Sequence, residues 1–336
     1  MSASQNPVVT GCARNFRWQT SPYLVTWILI ALTIAVDLAG LHWLGRSVVP
    51  GRASRNLPGL LAIVLVIIWV NIRTRSIRDK KARWARRQLD LANTARWMIA
   101  LAVFCMAASI LSRLSVAAAF PLIDPQLARI DETVGFDWLA WYHWVQQHPT
   151  LFFILNLAYG SGLAQTIVVP LVLGLNGARL ELAEHMMRFM LATVICLVVA
   201  TLFPAASAFL HFHIADPGTS SAVSTFFPIR NGTLRVIDLS DQQGLVSMPS
   251  MHTAMAILFA YALRRIPVFA YVAAMLNAVM IVSTPTHGGH YLIDVVAGAL
   301  LAVLTIALIR QLHIHEPSAH AVGKSQGIPV SHGLTF

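Results

Sequence analysis

The chain has 336 residues, of which 57% are apolar and only 11% charged, and its formal net charge is +10. That balance excludes an ordinary soluble domain, and the long apolar blocks describe a polytopic membrane protein. The positive charge does not point to nucleic acid, because eight Lys and Arg residues fall between Arg73 and Arg87, directly after an apolar stretch, as in a cytoplasmic loop.

In chain order, a polar lead (1–22) precedes a first apolar span at about Tyr23–Leu44, with Asp37 inside it. An intramembrane carboxylate needs a protein or water partner, and a polar group on a neighbouring helix is the expected one. A second, short span is expected at Leu57–Ile72, then the basic run, then a third span at Ala95–Ala117. The connection Phe120–Thr150 carries Asp124, Asp131, Glu132 and Asp137, with Trp138, Trp141 and Trp144 every third residue. That spacing predicts a short amphipathic helix with its aromatics at headgroup depth. Further spans are expected at Leu151–Leu175, Phe189–Phe203, Pro249–Leu263, Pro267–Val282 and Tyr291–Ile309, before a polar tail. Cys12, Cys105 and Cys196 suggest no disulfide framework. The fold expected is all-α: about eight transmembrane helices, with two N-terminal helices and the basic loop (23–88), a six-helix core (89–310) and a disordered cytoplasmic tail (311–336).

Two short segments stand out near the end: Ser247-Met-Pro-Ser-Met-His252 and Ser283-Thr-Pro-Thr-His-Gly-Gly-His290-Tyr-Leu-Ile-Asp294. Each lies at the mouth of an apolar helix, and one helical hairpin separates them, so both return to the same side of the membrane. In the first, Ser250 is an N-cap and His252 falls in the first turn, where free N–H groups and the helix dipole favour an anion. In the second, His290 and Asp294 are four apart, so the carboxylate lies one turn from the imidazole and can fix its tautomer. Helix caps with interfacial polar residues would explain either segment alone.

A phosphate in such a site needs a counter-charge. Arg230 and Arg235, in the loop leading to His252, are the only Lys or Arg residues between Phe189 and Leu263. Guanidinium groups suit phosphate oxygens through charge-assisted, bidentate bonds. The chemistry these residues suggest is metal-free. His290, held by Asp294, attacks phosphorus; His252 protonates the leaving oxygen and then activates the acceptor. Arg230, Arg235 and the N–H groups around Ser250 steady the equatorial oxygens. His287 and His290 with Asp294 could be imagined as metal ligands, but no Cys/His or carboxylate set has the spacing of a metal site, and none is expected.

These segments resemble the type 2 phosphatidic acid phosphatase superfamily of membrane phosphatases and phosphotransferases. Pro249-Ser250-Met251-His252 is similar to the family's Pro-Ser-Gly-His motif, with Met for Gly. Ser283 to Asp294 is similar to its Ser-Arg…His…Asp motif with the spacing intact, but with Thr284 in place of Arg. The family's Lys-containing first motif is absent in its standard form. The resemblance implies His290 as nucleophile, Asp294 as its partner, His252 as acid and base, and Ser250 with backbone amides, such as that of Gly289, as phosphate ligands. The His-Tyr-x-x-Asp form is similar to the branch holding inositol phosphorylceramide and sphingomyelin synthases, which pass a phospho-headgroup to a lipid alcohol.

The leading expectation is a cofactor-free lipid phosphatase whose partners are a lipid phosphate and the bilayer. A lipid phosphotransferase is the alternative, and a transporter or lipid-binding scaffold is the non-enzymatic one. Basic residues on the inside put both termini in the cytoplasm and the site on the extracytoplasmic face of the plasma (inner) membrane.

Overall fold

The computed structural model describes residues 22–49, 83–214, 216, 223–239 and 244–311. In chain order these form α1 (Pro22–Trp43), β1 (Ser47–Val49), α2 (Arg83–Ala117), α3 (Asp124–Thr133), α4 (Trp138–Gln146), α5 (Pro149–Leu175), α6 (Arg179–Leu202), α7 (Ala208–His211), α8 (Phe226–Arg230), β2 (Val236–Asp238), α9 (Met251–Leu263), α10 (Pro267–Gly288) and α11 (Leu292–Gln311). The protein is an all-α membrane bundle with a two-stranded sheet as its only β-structure among the described residues.

Among the described residues six helices, α1, α2, α5, α6, α10 and α11, are long and apolar enough to cross a bilayer. The expected span at 57–72, the first part of the basic run, the lead and the tail lie outside the described residues. The segment expected to span at Pro249–Leu263 is α9, whose 13 residues rise only ~20 Å against a hydrocarbon core of ~30 Å. Residues 244–250, with Leu245, Ser247 and Ser250 buried, continue its path through the bundle. In contrast, α2 begins at Arg83 and not at Ala95, running 35 residues. The Ala, Leu, Gln and Arg residues of 83–94 are good helix formers and carry the helix into the basic run.

Apolar side chains of α2, α5, α6, α9 and α10 make the main core, around Phe104, Met186, Phe259 and Met280. Large apolar residues such as Leu157, Leu163, Met275 and Leu300 face outward, as expected where lipid replaces water. The two ends of the bundle differ in charge. The start of α6 and the end of α9 carry Arg188 paired with Glu184 at 2.6 Å and Arg265 with Glu181 at 2.9 Å. The opposite end gathers the start of α9, the end of α10 and the start of α11.

The connection between α2 and α5 is built differently from its sequence expectation. It folds into two short helices, α3 and α4, which turn at Gly135 with φ of 80°. Trp138 does not reach the headgroup layer: it is 2% exposed, sandwiched between Tyr142 and Phe212 with ring centroids at 5.1 Å and 5.2 Å. Trp144, by contrast, is exposed.

The sheet is a parallel pairing of β1 with β2, register Ser47↔Val236 to Val49↔Asp238. Arg46 reinforces it, its Nη2 donating to the Ile229 carbonyl at 2.7 Å and its Nη1 to that of Leu234. The segment after α1 is thereby tied to the loop that leads into α9.

Candidate active site

The αL turn between α10 and α11 sets the site's frame. Gly289 is the C-cap of α10 with φ of 63°, its N–H returning to the Thr284 carbonyl. A Cβ there would lie 2.2 Å from Ser207 Oγ, so both the left-handed backbone and the crowding require glycine. Its carbonyl accepts from Ala208 N at 2.8 Å and Ser207 Oγ at 3.0 Å. The Gly289 amide is therefore committed to the turn.

His290 and Asp294 follow, 3% and 0% exposed. His290 Nδ1 lies 3.5 Å from Asp294 Oδ2. That carboxylate oxygen also accepts from Ser247 Oγ at 2.8 Å and Tyr291 N at 3.1 Å. The His290 carbonyl accepts from Trp138 Nε1 at 3.0 Å. The two motif segments are joined directly, since Ser250 N donates to the Asp294 carbonyl at 3.0 Å. Gly298 permits this approach: a Cβ at 298 would be 2.3 Å from the Ser250 carbonyl oxygen.

Ser250 caps α9 as expected, its Oγ accepting from Thr253 N at 3.3 Å. With its N–H given to Asp294 and its side chain to the cap, the hydroxyl proton is what it retains for a ligand. His252 sits in the first turn of α9, half-buried, its imidazole stacked on the Tyr159 ring of α5 at 4.1 Å. Gly162, one turn along α5, faces the same imidazole; a Cβ there would meet His252 Cδ2 at 3.4 Å. A Cβ on Gly288 would meet both His290 Cδ2, at 2.7 Å, and Tyr159 Oη, at 2.9 Å. Tyr159 thus lies against both histidines. His287 joins from the last turn of α10, its ring 4.7 Å from Phe152 and 6.4 Å from Tyr159.

Sequence reasoning passed over Tyr159. The signal was available: Tyr159-Gly160-Ser161-Gly162 is a polar, small-residue interruption in an otherwise apolar span. It also passed over two acidic residues. Asp124, 5% exposed, accepts from Ala206 N at 2.9 Å, Ser207 N at 3.1 Å and Tyr291 Oη at 3.0 Å. Asp131, 2% exposed, accepts from the Leu292 and Ile293 amides at 2.6 Å and 3.0 Å, capping α11. Burial pushes the Asp131 carboxyl above its usual range; the two amides pull it down and Asp294 pushes it up.

The two loop arginines do not contact the histidines. Arg230, at the end of α8, donates through Nη2 to the Ala119 and Phe120 carbonyls just past α2, while its Nη1 is buried without a partner. Burial lowers its pKa and the nearby Asp124 raises it. Arg235 is exposed and donates to the Gly232 carbonyl at 3.2 Å. Thr284, fully buried, donates to the Ile281 carbonyl. Among the described residues no three His, Cys, Asp or Glu side chains cluster as metal ligands.

A cavity of about 420 Å³ opens on the far side of Tyr291, lined by Asp131, Glu132, Asp137, Phe136 and Trp138 among others. Its three carboxylates repel a phosphate.

With this geometry in place, comparison with known families gives a match over residues 125–308 to the model of the PAP2 superfamily. The chain belongs to the PAP2 superfamily. The matched stretch runs from α3 into α11 and contains His252, Tyr159, His290 and Asp294; α1, β1 and α2 precede it. No curated protein and no solved structure gives a match. Membership in the PAP2 superfamily supports a lipid-phosphatase type of function for this membrane protein in general terms.

Proposed function

We propose that this PAP2 protein hydrolyses a phosphomonoester or diphosphate lipid at the extracytoplasmic face through a phosphohistidine. The observation that carries this is the placement of His290 beside Asp294 with His252 facing them across Tyr159. Asp294, acting on Nδ1, leaves Nε2 of His290 as the lone-pair nitrogen. That nitrogen attacks phosphorus, the P–O bond to the lipid breaks, and the leaving oxygen takes a proton from His252. Water then attacks the phosphohistidine, His252 recovers a proton from it, and phosphate leaves with His290 restored. The 3.5 Å separation of His290 from Asp294 shortens to a hydrogen bond as charge develops on the imidazole. Arg230, Arg235 and the Ser250 hydroxyl are the remaining candidates for contact with phosphate oxygens, whereas the Gly289 amide, given to the Thr284 carbonyl, is not. The arginine-rich end of the bundle supports an inside position, and so an outward site, by the positive-inside rule.

The near-complete burial of His290 supports a second acceptor. A site that excludes water lets a lipid alcohol, entering between helices, reach the phosphohistidine first. The same first half-reaction then ends in transfer of a phospho-headgroup.

The test is phosphate release by purified protein in detergent with EDTA present, offered phosphatidic acid, phosphatidylglycerophosphate and a polyprenyl diphosphate. Release that disappears in His290→Ala is the expected result. Equal release by His290→Ala overturns the nucleophile assignment. No release from wild type, with product formed only when a lipid alcohol is added to a phospholipid donor, selects transfer.

A further inference from the structure

Tyr159 occupies a place in this site that its apolar helix does not require. It projects from α5 with its ring stacked on His252 at 4.1 Å and an interplanar angle of 23°. Its hydroxyl lies over the Gly288 backbone, where the edge of His290 also lies. Among the described residues no side chain or backbone group hydrogen-bonds Tyr159 Oη. The neighbours on its own helix, Leu155 and Ala158, are buried and apolar, and offer the hydroxyl nothing. Tyr159 is half-buried, so its hydroxyl keeps its hydrogen-bonding capacity for a group that enters the site.

The local sequence shapes α5 for this purpose. Tyr159 and Gly162 are three apart and share a face. The tyrosine covers the His252 imidazole, while the glycine removes the side chain that would fill the space next to it, where Met280 Sδ also closes in at 3.5 Å from a Cβ at 162. The imidazole is thus held in a slot formed by an aromatic face and a missing side chain. The hydroxyl is left at the rim of that slot, toward His290.

We infer that Tyr159 is a catalytic residue, its hydroxyl donating a hydrogen bond to a phosphoryl oxygen between His252 and His290. This rests on the phosphohistidine reading above. An oxygen of the transferring phosphoryl group carries developing charge, and a neutral O–H donor fixed beside it forms a charge-assisted bond without reorganising. The donor matters more here because Arg230 spends Nη2 on the Ala119 and Phe120 carbonyls and Arg235 stands exposed. The ring has a second task, since it keeps the imidazole of His252 from turning away from the leaving oxygen.

The substitution Tyr159→Phe removes only the hydroxyl and preserves the stack, so it separates the two tasks. It is expected to lower kcat by about tenfold to hundredfold, the usual loss for one hydrogen bond to a charged group, with KM within twofold and the thermal midpoint unmoved. Inhibition by orthovanadate, which presents oxygens in the geometry of the transferring phosphoryl group, is expected to weaken by a similar factor. A purely structural tyrosine would move the midpoint and leave vanadate affinity alone. Tyr159→Leu, which also removes the stack, is expected to lose further activity. A kcat for Tyr159→Phe within twofold of wild type, or unchanged vanadate affinity, overturns the assignment. If His290→Ala is inactive while Tyr159→Phe is fully active, only the role of Tyr159 falls. If His290→Ala is as active as wild type, the phosphohistidine and the role of Tyr159 fall together.

Discussion

Ser250 N–H donates to the backbone carbonyl of Asp294 at 3.0 Å, so the cap that places His252 is bonded to the residue that holds His290. His252 and His290, the proposed acid–base and nucleophile, are therefore carried by one junction of α9 on α11, and not by two independent loops. Catalytic geometry of this kind tolerates little displacement, because an error of about 1 Å in approach already costs orders of magnitude in rate.

That junction makes Gly298 a sensitive position. Its Cα faces the Ser250 carbonyl, and a methyl group would come within 2.3 Å of that oxygen and 3.1 Å of Thr253 Cβ. Neither is the far end of a flexible side chain, so α11 or the α9 cap must shift. Gly298→Ala is expected to destabilise the protein by about 1–3 kcal/mol, the usual cost of overpacking. It should also lower kcat/KM by more than tenfold. A thermal melt in detergent alongside phosphate release checks both, and a variant indistinguishable from wild type would mean that the junction is soft.

Asp294→Asn tests charge apart from shape. The amide keeps the volume, and its oxygen can still accept from Ser247 Oγ and Tyr291 N. What it loses is the negative charge opposite His290 Nδ1 at 3.5 Å and the preference for the tautomer with Nε2 free. Turnover should fall by about a hundredfold to ten-thousandfold while the melting midpoint moves little. Trapping of the phosphohistidine by alkaline quench, in which its P–N bond survives, would show whether the first half-reaction is the step that slows; retention of more than half the wild-type kcat would remove Asp294 from the mechanism.

Much of this was legible in the sequence, and the limits have physical causes. Blocks of hydropathy give the spans because lipid demands them, and the four-residue interval from His290 to Asp294 gives their proximity, although His290 lies in the turn ahead of α11 and only Asp294 is on the helix. The distant roles of Asp124 and Asp131 leave no mark in the sequence, since nothing local distinguishes a solvated aspartate from one that caps a distant backbone. Asp124 holds amides at 206 and 207, and Asp131 holds amides at 292 and 293, partners far away along the chain. Trp138 misled for the same reason: its periodicity with Trp141 and Trp144 is real, but its partner is the carbonyl of His290. The β1–β2 pairing was invisible because two three-residue strands leave no periodic trace.

Arg230 and Arg235 now separate into different expectations. Arg230 joins α8 to the carbonyls past α2 and keeps a buried, unpartnered Nη1, so Arg230→Ala removes both a staple and a possible phosphate ligand. It is expected to lower the thermal midpoint and reduce kcat/KM by at least tenfold. Arg235 is exposed, and Arg235→Ala should leave stability within about 0.5 kcal/mol, as at most surface positions, so any kinetic loss reports on substrate directly. Lipid phosphate hydrolysis measured for both variants decides the matter: values of kcat/KM within twofold of wild type in each would rule out an arginine clamp.

Arg46 lies outside the stretch matched to the PAP2 superfamily, yet it acts on the loop inside it. Its Nη2 bonds the Ile229 carbonyl at 2.7 Å and its Nη1 that of Leu234, while β1 continues the contact through Ser47 to Val49. Burial lowers the Arg46 pKa, and Arg235 close by lowers it too, so this guanidinium is held beside a like charge by its backbone carbonyls. A neutral residue cannot make both bonds, and two short strands alone do not form a stable sheet. Arg46→Ala should therefore release the loop between α8 and β2 without unfolding the helices. The expected result is faster limited proteolysis at 231–239, helical content unchanged by circular dichroism, and a raised KM with kcat reduced less. Arg46→Lys keeps the charge but not the two-carbonyl fork, and should behave like the alanine variant. If the lysine variant instead restores both protease resistance and KM, charge and not the fork ties the segment after α1 to the loop between α8 and β2.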